Sequence, residues 1–168
     1  VDDMVIRPVG MKFALGENPK SVYHDRDETP VTRMATVALI REGLSKAKRY
    51  LADLSAYEAD TENLDAPEYD MKCEALLPLL RGEGKAFFHC HRADDMFTAQ
   101  RIAREFSLDL VLIHGTEGHL VAELLGADKV PVIVGPLLGD RCKPELRAAQ
   151  LRNAAYLQKA GVPIAICT

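Results

Sequence analysis

Ala86-Phe87-Phe88-His89-Cys90-His91 and, one helix-length of chain later, Leu110-Val111-Leu112-Ile113-His114-Gly115 decide how this chain folds. Each stretch is an unbroken apolar run of strand length that closes on histidine. Strands buried on both faces read as such runs, which is the mark of a parallel sheet covered by helices. Side chains alternate along a strand, so His89 and His91 share a face and project together at the strand end. Cys90 then points the other way, toward a helix layer, as a small structural residue. His114 arrives at the end of its own run in the same manner. Neighbouring strands lie about 4.8 Å apart, so His89 and His114 are placed to share one ion. Three imidazoles at two strand ends point to a transition-metal site. A lone histidine there would read as a hydrogen-bonded core residue, so the metal reading needs the whole set.

Outward from these strands the pattern repeats. Met96, Ala99, Ile102, Ala103 and Phe106 recur at helical spacing after the first run, and Leu120, Val121, Leu124 and Leu125 mark a shorter helix after the second. Val130 to Val134 reads as a third strand, broken by Gly135-Pro136. Pro144 to Leu157 reads as a helix with proline suited to its first turn; Gly161 closes it before a last strand, Val162 to Cys167. Upstream, Met11 to Leu15 reads as a strand, followed by a loop at Gly16-Glu17-Asn18-Pro19-Lys20 and a polar, mobile excursion from Tyr23 to Pro30. Thr32 is placed to cap a long helix ending near Leu54, whose buried stripe is Val37, Ile40, Leu44, Ala47, Leu51 and Leu54. A charged connection at 61–68 leads into a helix from about Tyr69 to Leu80, with Pro78 disturbing its last turn.

Composition narrows the functional classes. The 168 residues carry a net charge of -4, 48% hydrophobic and 27% charged residues, which describes one ordinary globular domain. An acidic balance gives no electrostatic footprint for nucleic acid, and Lys46-Ala47-Lys48-Arg49 reads as a solvated helix face. No run approaches the about 18 apolar residues of a membrane span. The four cysteines show no Cys-x-x-Cys spacing, which fits a reducing cytoplasm. Val1-Asp2-Asp3 has no basic region of the secretory kind. The chain begins near one strand and stops beside another, and from this the sequence is expected to be a piece of a larger protein.

Two parallel architectures compete. An open nucleotide-binding sheet would carry a glycine-rich turn after its first strand, and residues 16–20 are not that fingerprint. Titratable residues instead gather just after several strands: Glu17, His89 with His91, His114, and Asp140 with Arg141. In a (β/α)8 TIM barrel the C-terminal strand ends share one mouth. The fold expected is therefore α/β, with parallel strands and covering helices forming part of a barrel that five strands cannot close.

The series Gly16-Glu17-Asn18-Pro19-Lys20, Thr32-Arg33-Met34, His89-Cys90-His91-Arg92-Ala93-Asp94-Asp95 and His114-Gly115-Thr116-Glu117-Gly118-His119 resembles the metal-dependent amidohydrolase superfamily. It looks closest to the imidazolonepropionase-like branch, which includes cyclic-amide hydrolases and dipeptidases. The likeness runs over nearly the whole chain, from the fourth barrel strand to the eighth. It implies hydrolysis of an amide or cyclic C–N bond of a small-molecule substrate, with a divalent metal as cofactor: zinc first, iron or manganese as alternatives. His89 and His114 would be the fifth- and sixth-strand ligands. Glu17 or Lys12, at the fourth strand, would complete or bridge the site. Strand alternation favours Lys12 if its face is inward; the loop position favours Glu17, which is taken as the ligand.

His91 and Glu117 are the catalytic candidates. His91 would touch substrate or a second metal, with a core hydrogen bond as an equal alternative, and Glu117 would polarise a substrate group. Arg92 would bind a substrate carboxylate through its planar fork of donors, or pair with a nearby aspartate. Asp94 and Asp95 would cap the next helix; His119 reads as a helix-face residue and His24 as surface. The superfamily's first-strand His-x-His pair and eighth-strand aspartate would fall before Val1 and after Thr168, so the segment alone is expected to be inactive. Open sheet edges favour a homo-oligomer. Two other classes stay open: a metal-free barrel enzyme using histidine as acid and base, and a non-catalytic half-barrel that packs on a partner.

Overall fold

The structure, a computed structural model, describes residues 9–139 and 141–167. Asp140 and the acidic N-terminus lie outside them. Five strands form one sheet in sequence order, β1 (Gly10–Ala14), β2 (Lys85–Cys90), β3 (Asp109–His114), β4 (Val132–Val134) and β5 (Ile164–Ile166), and every pairing is parallel. Between them run α1 (Glu17–His24), α2 (Arg33–Ala59), α3 (Met71–Leu80), α4 (Ala93–Phe106), α5 (Ala122–Ala127) and α6 (Asn153–Lys159). This is the expected α/β arrangement of parallel strands with flanking helices. No helix among the described residues is long and apolar enough to cross a membrane.

Register assigns the faces. Phe13 pairs with Phe88, Phe88 with Leu112, Leu112 with Val132 and Val132 with Ile164. Paired residues of parallel strands point the same way, so these five share a face. The rings of Phe13 and Phe88 stack at 4.7 Å. Phe88, Leu112, Val132 and Val134 are buried in one cluster with Met96, Ala99 and Ile102 of α4, Leu125 of α5 and Leu157 of α6. Removing each large side chain from water contributes about 2–3 kcal/mol, so this helix-covered face carries the fold. Cys90 belongs to the same cluster, and burial pushes its thiol pKa far up. That is the structural role its alternation predicted. The other face carries Lys12, Phe87, His89, Ile113 and Ile133.

Helix ends follow local chemistry. Thr32 accepts from Ala35 N–H at 3.1 Å, and Asp70 accepts from Lys72 and Cys73 N–H at 2.9 and 3.0 Å, so both helices start on side-chain caps. α2 runs past Leu54 to Ala59, and α3 passes through Pro78 to Leu80. Four expectations need correction. Residues 17–24 form α1 in place of a loop and surface excursion, because Glu145 Oε2 accepts the Glu17 N–H that starts the helix. Pro19 sits in that first turn, where no backbone donor is needed. The helix expected over 144–157 is instead a single tight turn, Pro144–Leu146, and α6 starts only at Asn153, because Glu145 is drawn into the interior. β4 and β5 are each three residues long: Pro131 and Pro163 precede them without an N–H, while their carbonyls still accept from Leu112 and Val132. Finally, β2 ends at Cys90, so His91 stands just beyond the strand.

Candidate metal centre

The site forms where β2 and β3 stop. His89 and Ile113 are register partners, and so are Cys90 and His114. Plain alternation would therefore turn His114 toward the helix face with Cys90. It does not stay there, because His114 has φ 75°. A left-handed backbone is disfavoured for a residue with a Cβ, and here it carries the ring across to the histidine face. The His89 and His114 rings meet at 4.5 Å edge to face, His91 and His114 stack at 4.7 Å, and His89 and His91 lie at 4.9 Å. One ligand atom from each of the three falls within 4.8 Å of the others. The structure thus brings together the trio that the sequence singled out, by a kink that strand logic did not contain.

Hydrogen bonds fix each imidazole. His114 Nδ1 lies 2.5 Å from the Gly135 carbonyl, which only accepts, so Nδ1 carries the proton and Nε2 keeps a lone pair. Gly135 is required here: its φ is 134°, and a Cβ would stand 2.1 Å from the Cys167 carbonyl oxygen. His89 Nε2 lies 3.1 Å from Asn18 Nδ2. Lys143 donates to Asn18 Oδ1, so the amide's NH2 end faces His89 and Nε2 accepts. His91 Nδ1 lies 2.7 Å from Thr116 Oγ1. Burial, reinforced by neighbouring imidazoles and by Lys143, holds His89 down to about 4 and His91 down to about 3. Both are neutral near pH 7, the form that offers a lone pair to a metal.

Beside the trio lies a buried charged group. Glu145 and Asp95 are 2% and 3% exposed. Arg33 Nε donates to both Asp95 oxygens at 3.1 and 3.2 Å, and its Nη2 is 3.8 Å from Glu145 Oε2. Burial raises the pKa of both carboxyls, against the pull of Arg33 on Asp95 and of the Glu17 N–H on Glu145. Glu145 Oε1 has no hydrogen-bond partner and lies 3.8 Å from His91 Nε2.

The other predicted residues fall around this core. Glu17 opens α1 through its backbone, and its carboxylate is not among the atoms that converge with the three imidazoles. Lys12 pairs with Phe87 and so sits on the His89 face, where its charge helps depress that histidine. Arg92 is held by Asp94 through two bonds of 2.9 and 3.0 Å. Glu117 accepts from Ala93 N–H at 2.9 Å and thereby caps α4, the task expected of Asp94 and Asp95. Asp94 accepts from Arg92 and from the neighbouring Asp95 N–H, and Asp95 is engaged by Arg33. His119 lies in a short turn whose N–H donates to Asn153, and His24 is exposed in the last turn of α1.

Sequence reading missed Asn18, Lys143, Glu145 and Asn153. Asn153 is buried, donating to Gly115 O and accepting from His119 N–H, and so anchors the chain just after His114. None of these four carries a periodicity signal. Pro144-Glu145 looks like any helix start.

The donor set fits a transition metal: neutral, clustered imidazoles, one with its tautomer locked by a backbone carbonyl, as ligating histidines are. The chain is similar to a crystal structure of an amidohydrolase from Thermotoga maritima MSB8, with 44% identity and a TM-score of 0.90 over 96% of this chain. A close structural neighbour is an amidohydrolase. This chain spans 42% of that protein's length. No family model matches the sequence, and no curated protein matches it.

Proposed function

We propose that this chain is the C-terminal half of the (β/α)8 barrel, about strands four to eight, of a metal-dependent amidohydrolase of the imidazolonepropionase-like branch. The parent enzyme cleaves an amide or cyclic C–N bond of a small molecule. The observation that carries this reading is the convergence of His89, His91 and His114 at the ends of adjacent parallel strands, in a chain resembling an amidohydrolase. His89 and His114 would hold the ion, with the Glu17 carboxylate, or Lys12 as a carboxylated lysine, completing the site from the β1 side. A divalent cation held there, zinc first and iron or manganese next, would supply Lewis acidity toward water and a substrate carbonyl.

The chain's own residues do the rest. Gly135 O keeps the His114 proton on Nδ1, and burial keeps His89 and His91 uncharged. His91, fixed through Thr116, stands beside the ligand pair to exchange a proton with substrate. Arg92 and Glu117, at the start of α4, are the substrate-facing candidates once displaced from Asp94 and Ala93.

The segment alone is proposed to be inactive, and the sheet edges β1 and β5, unpaired among the described residues, with Ile166 of β5 67% exposed, favour self-association. The test is hydrolysis of a panel of cyclic amides and dipeptides by the protein of the complete reading frame. Activity should vanish on chelation, return with zinc, iron or manganese, and be lost in His89→Ala. Full activity in chelated protein would overturn the reading.

A further inference from the structure

One short segment acts on two of the three histidines, one through Asn18 and one across 3.8 Å. After β4 the chain reads Lys143-Pro144-Glu145, with Lys143 just ahead of the tight turn Pro144–Leu146. Lys143 donates to Asn18 Oδ1, and Asn18 donates to His89 Nε2. Two residues on, Glu145 turns inward beneath the start of α1 and brings Oε1 to 3.8 Å from His91 Nε2. That separation exceeds a hydrogen bond and is too short for a water between the two atoms. The carboxylate is fully buried, and this oxygen has no other partner. A buried anion with an open acceptor draws the nearest movable proton toward itself. Arg33 Nη2 stands 3.8 Å from the other oxygen, Oε2, and the donor facing Oε1 is the proton His91 can carry on Nε2, with Thr116 O–H then donating to Nδ1.

We propose that Lys143 and Glu145 are positioning residues that set opposite tautomers on His89 and His91. Lys143, through Asn18, keeps the His89 proton on Nδ1 and its lone pair on Nε2. Glu145 keeps the His91 proton on Nε2. His114 already has its proton on Nδ1 through Gly135 O. The segment thereby sorts three similar rings into two roles: His89 and His114 present Nε2 lone pairs as ligands, and His91 is kept out of the ligand set as a proton donor. This assignment deepens the metal reading and rests on it, but the tautomers exist without any ion.

Long-range proton–nitrogen NMR of histidine-labelled, metal-free protein reads each tautomer directly, in buffer above the ordinary imidazole range. The wild type should show Nε2–H for His91 and Nδ1–H for His89 and His114. Glu145→Gln should cut the His91 Nε2–H population to half or less and leave the other two rings as they were. Lys143→Met should mix the His89 tautomers only. Because Glu145→Gln disturbs a buried charge and can unfold the chain, Thr116→Val supplies an independent reading: with Glu145 intact, His91 must remain Nε2–H. A His91 that is Nδ1–H in the wild type, or that flips in Thr116→Val, or three rings indifferent to both segment variants, overturns the proposal. Adding one equivalent of zinc separates the two claims. Shifts at His89 and His114 Nε2 but not at His91 support both. No shift anywhere defeats the metal reading and leaves the tautomers to judge the segment, whereas a direct zinc shift at His91 refutes its assigned role.

Discussion

Replacing His114 by glycine separates a metal ligand from a core residue. The residue holds φ 75°, a conformation glycine enters freely. Relief of that strain returns about 1 kcal/mol. Losing the Nδ1–H bond strands the buried Gly135 O and costs about 1–3 kcal/mol. The two partly offset, so metal-free His114→Gly should unfold within about 2 kcal/mol of the wild type. Metal should behave differently. At a thousandfold excess over Kd, a ligand specific to the folded state adds about 4 kcal/mol. For a domain of this size that is a rise in Tm of about 8–16 °C. The variant loses one of the two proposed ligands and should show almost none of that rise. Thermal unfolding followed by circular dichroism, with chelator and with excess zinc, reads both numbers. A variant that keeps the zinc-induced rise would refute the ligand assignment. One that loses more than about 3 kcal/mol without metal would show that the ring serves packing, as large core truncations do.

Two further outcomes follow from the same geometry. Gly16→Ala forces a Cβ to 2.5 Å from the buried Glu145 Oε2 at φ 79°, so it should cost about 2–4 kcal/mol in denaturant unfolding, from left-handed strain and the clash together. Asp70, paired with Lys46 and capping α3, is held down to about 2 against an ordinary 3.8. Its folded pKa is depressed, so its contribution is present above 3.8 and is lost as pH falls through about 2. Asp70→Asn should flatten that acid limb in urea titrations repeated across pH.

The legible part of this protein is the part governed by local rules. Unbroken apolar runs gave parallel strands, helical spacing gave α2 and α4, and Thr32 read as a cap because its hydroxyl needs only the next turn of chain. Alternation correctly sent Cys90 into the core. What escaped depends on contacts distant in sequence. α1 starts on Glu145, which lies 128 residues away. Glu117 replaces two nearer acids as the cap of α4 because its loop folds back along His91, whose carbonyl accepts the Glu117 N–H. The site itself was legible for an incomplete reason. Register alone would have faced His114 away from His89; only its left-handed backbone brings the rings together, and composition does not announce such strain.

His89 and His114 are proposed to hold one ion between them. Anomalous diffraction at the zinc edge, from crystals of the protein grown with stoichiometric zinc, would locate that ion. The expected result is one strong peak about 2.0–2.1 Å from Nε2 of both rings, with Asn18 moved off His89. A map with no peak at that point, or with zinc only on surface carboxylates, would contradict it.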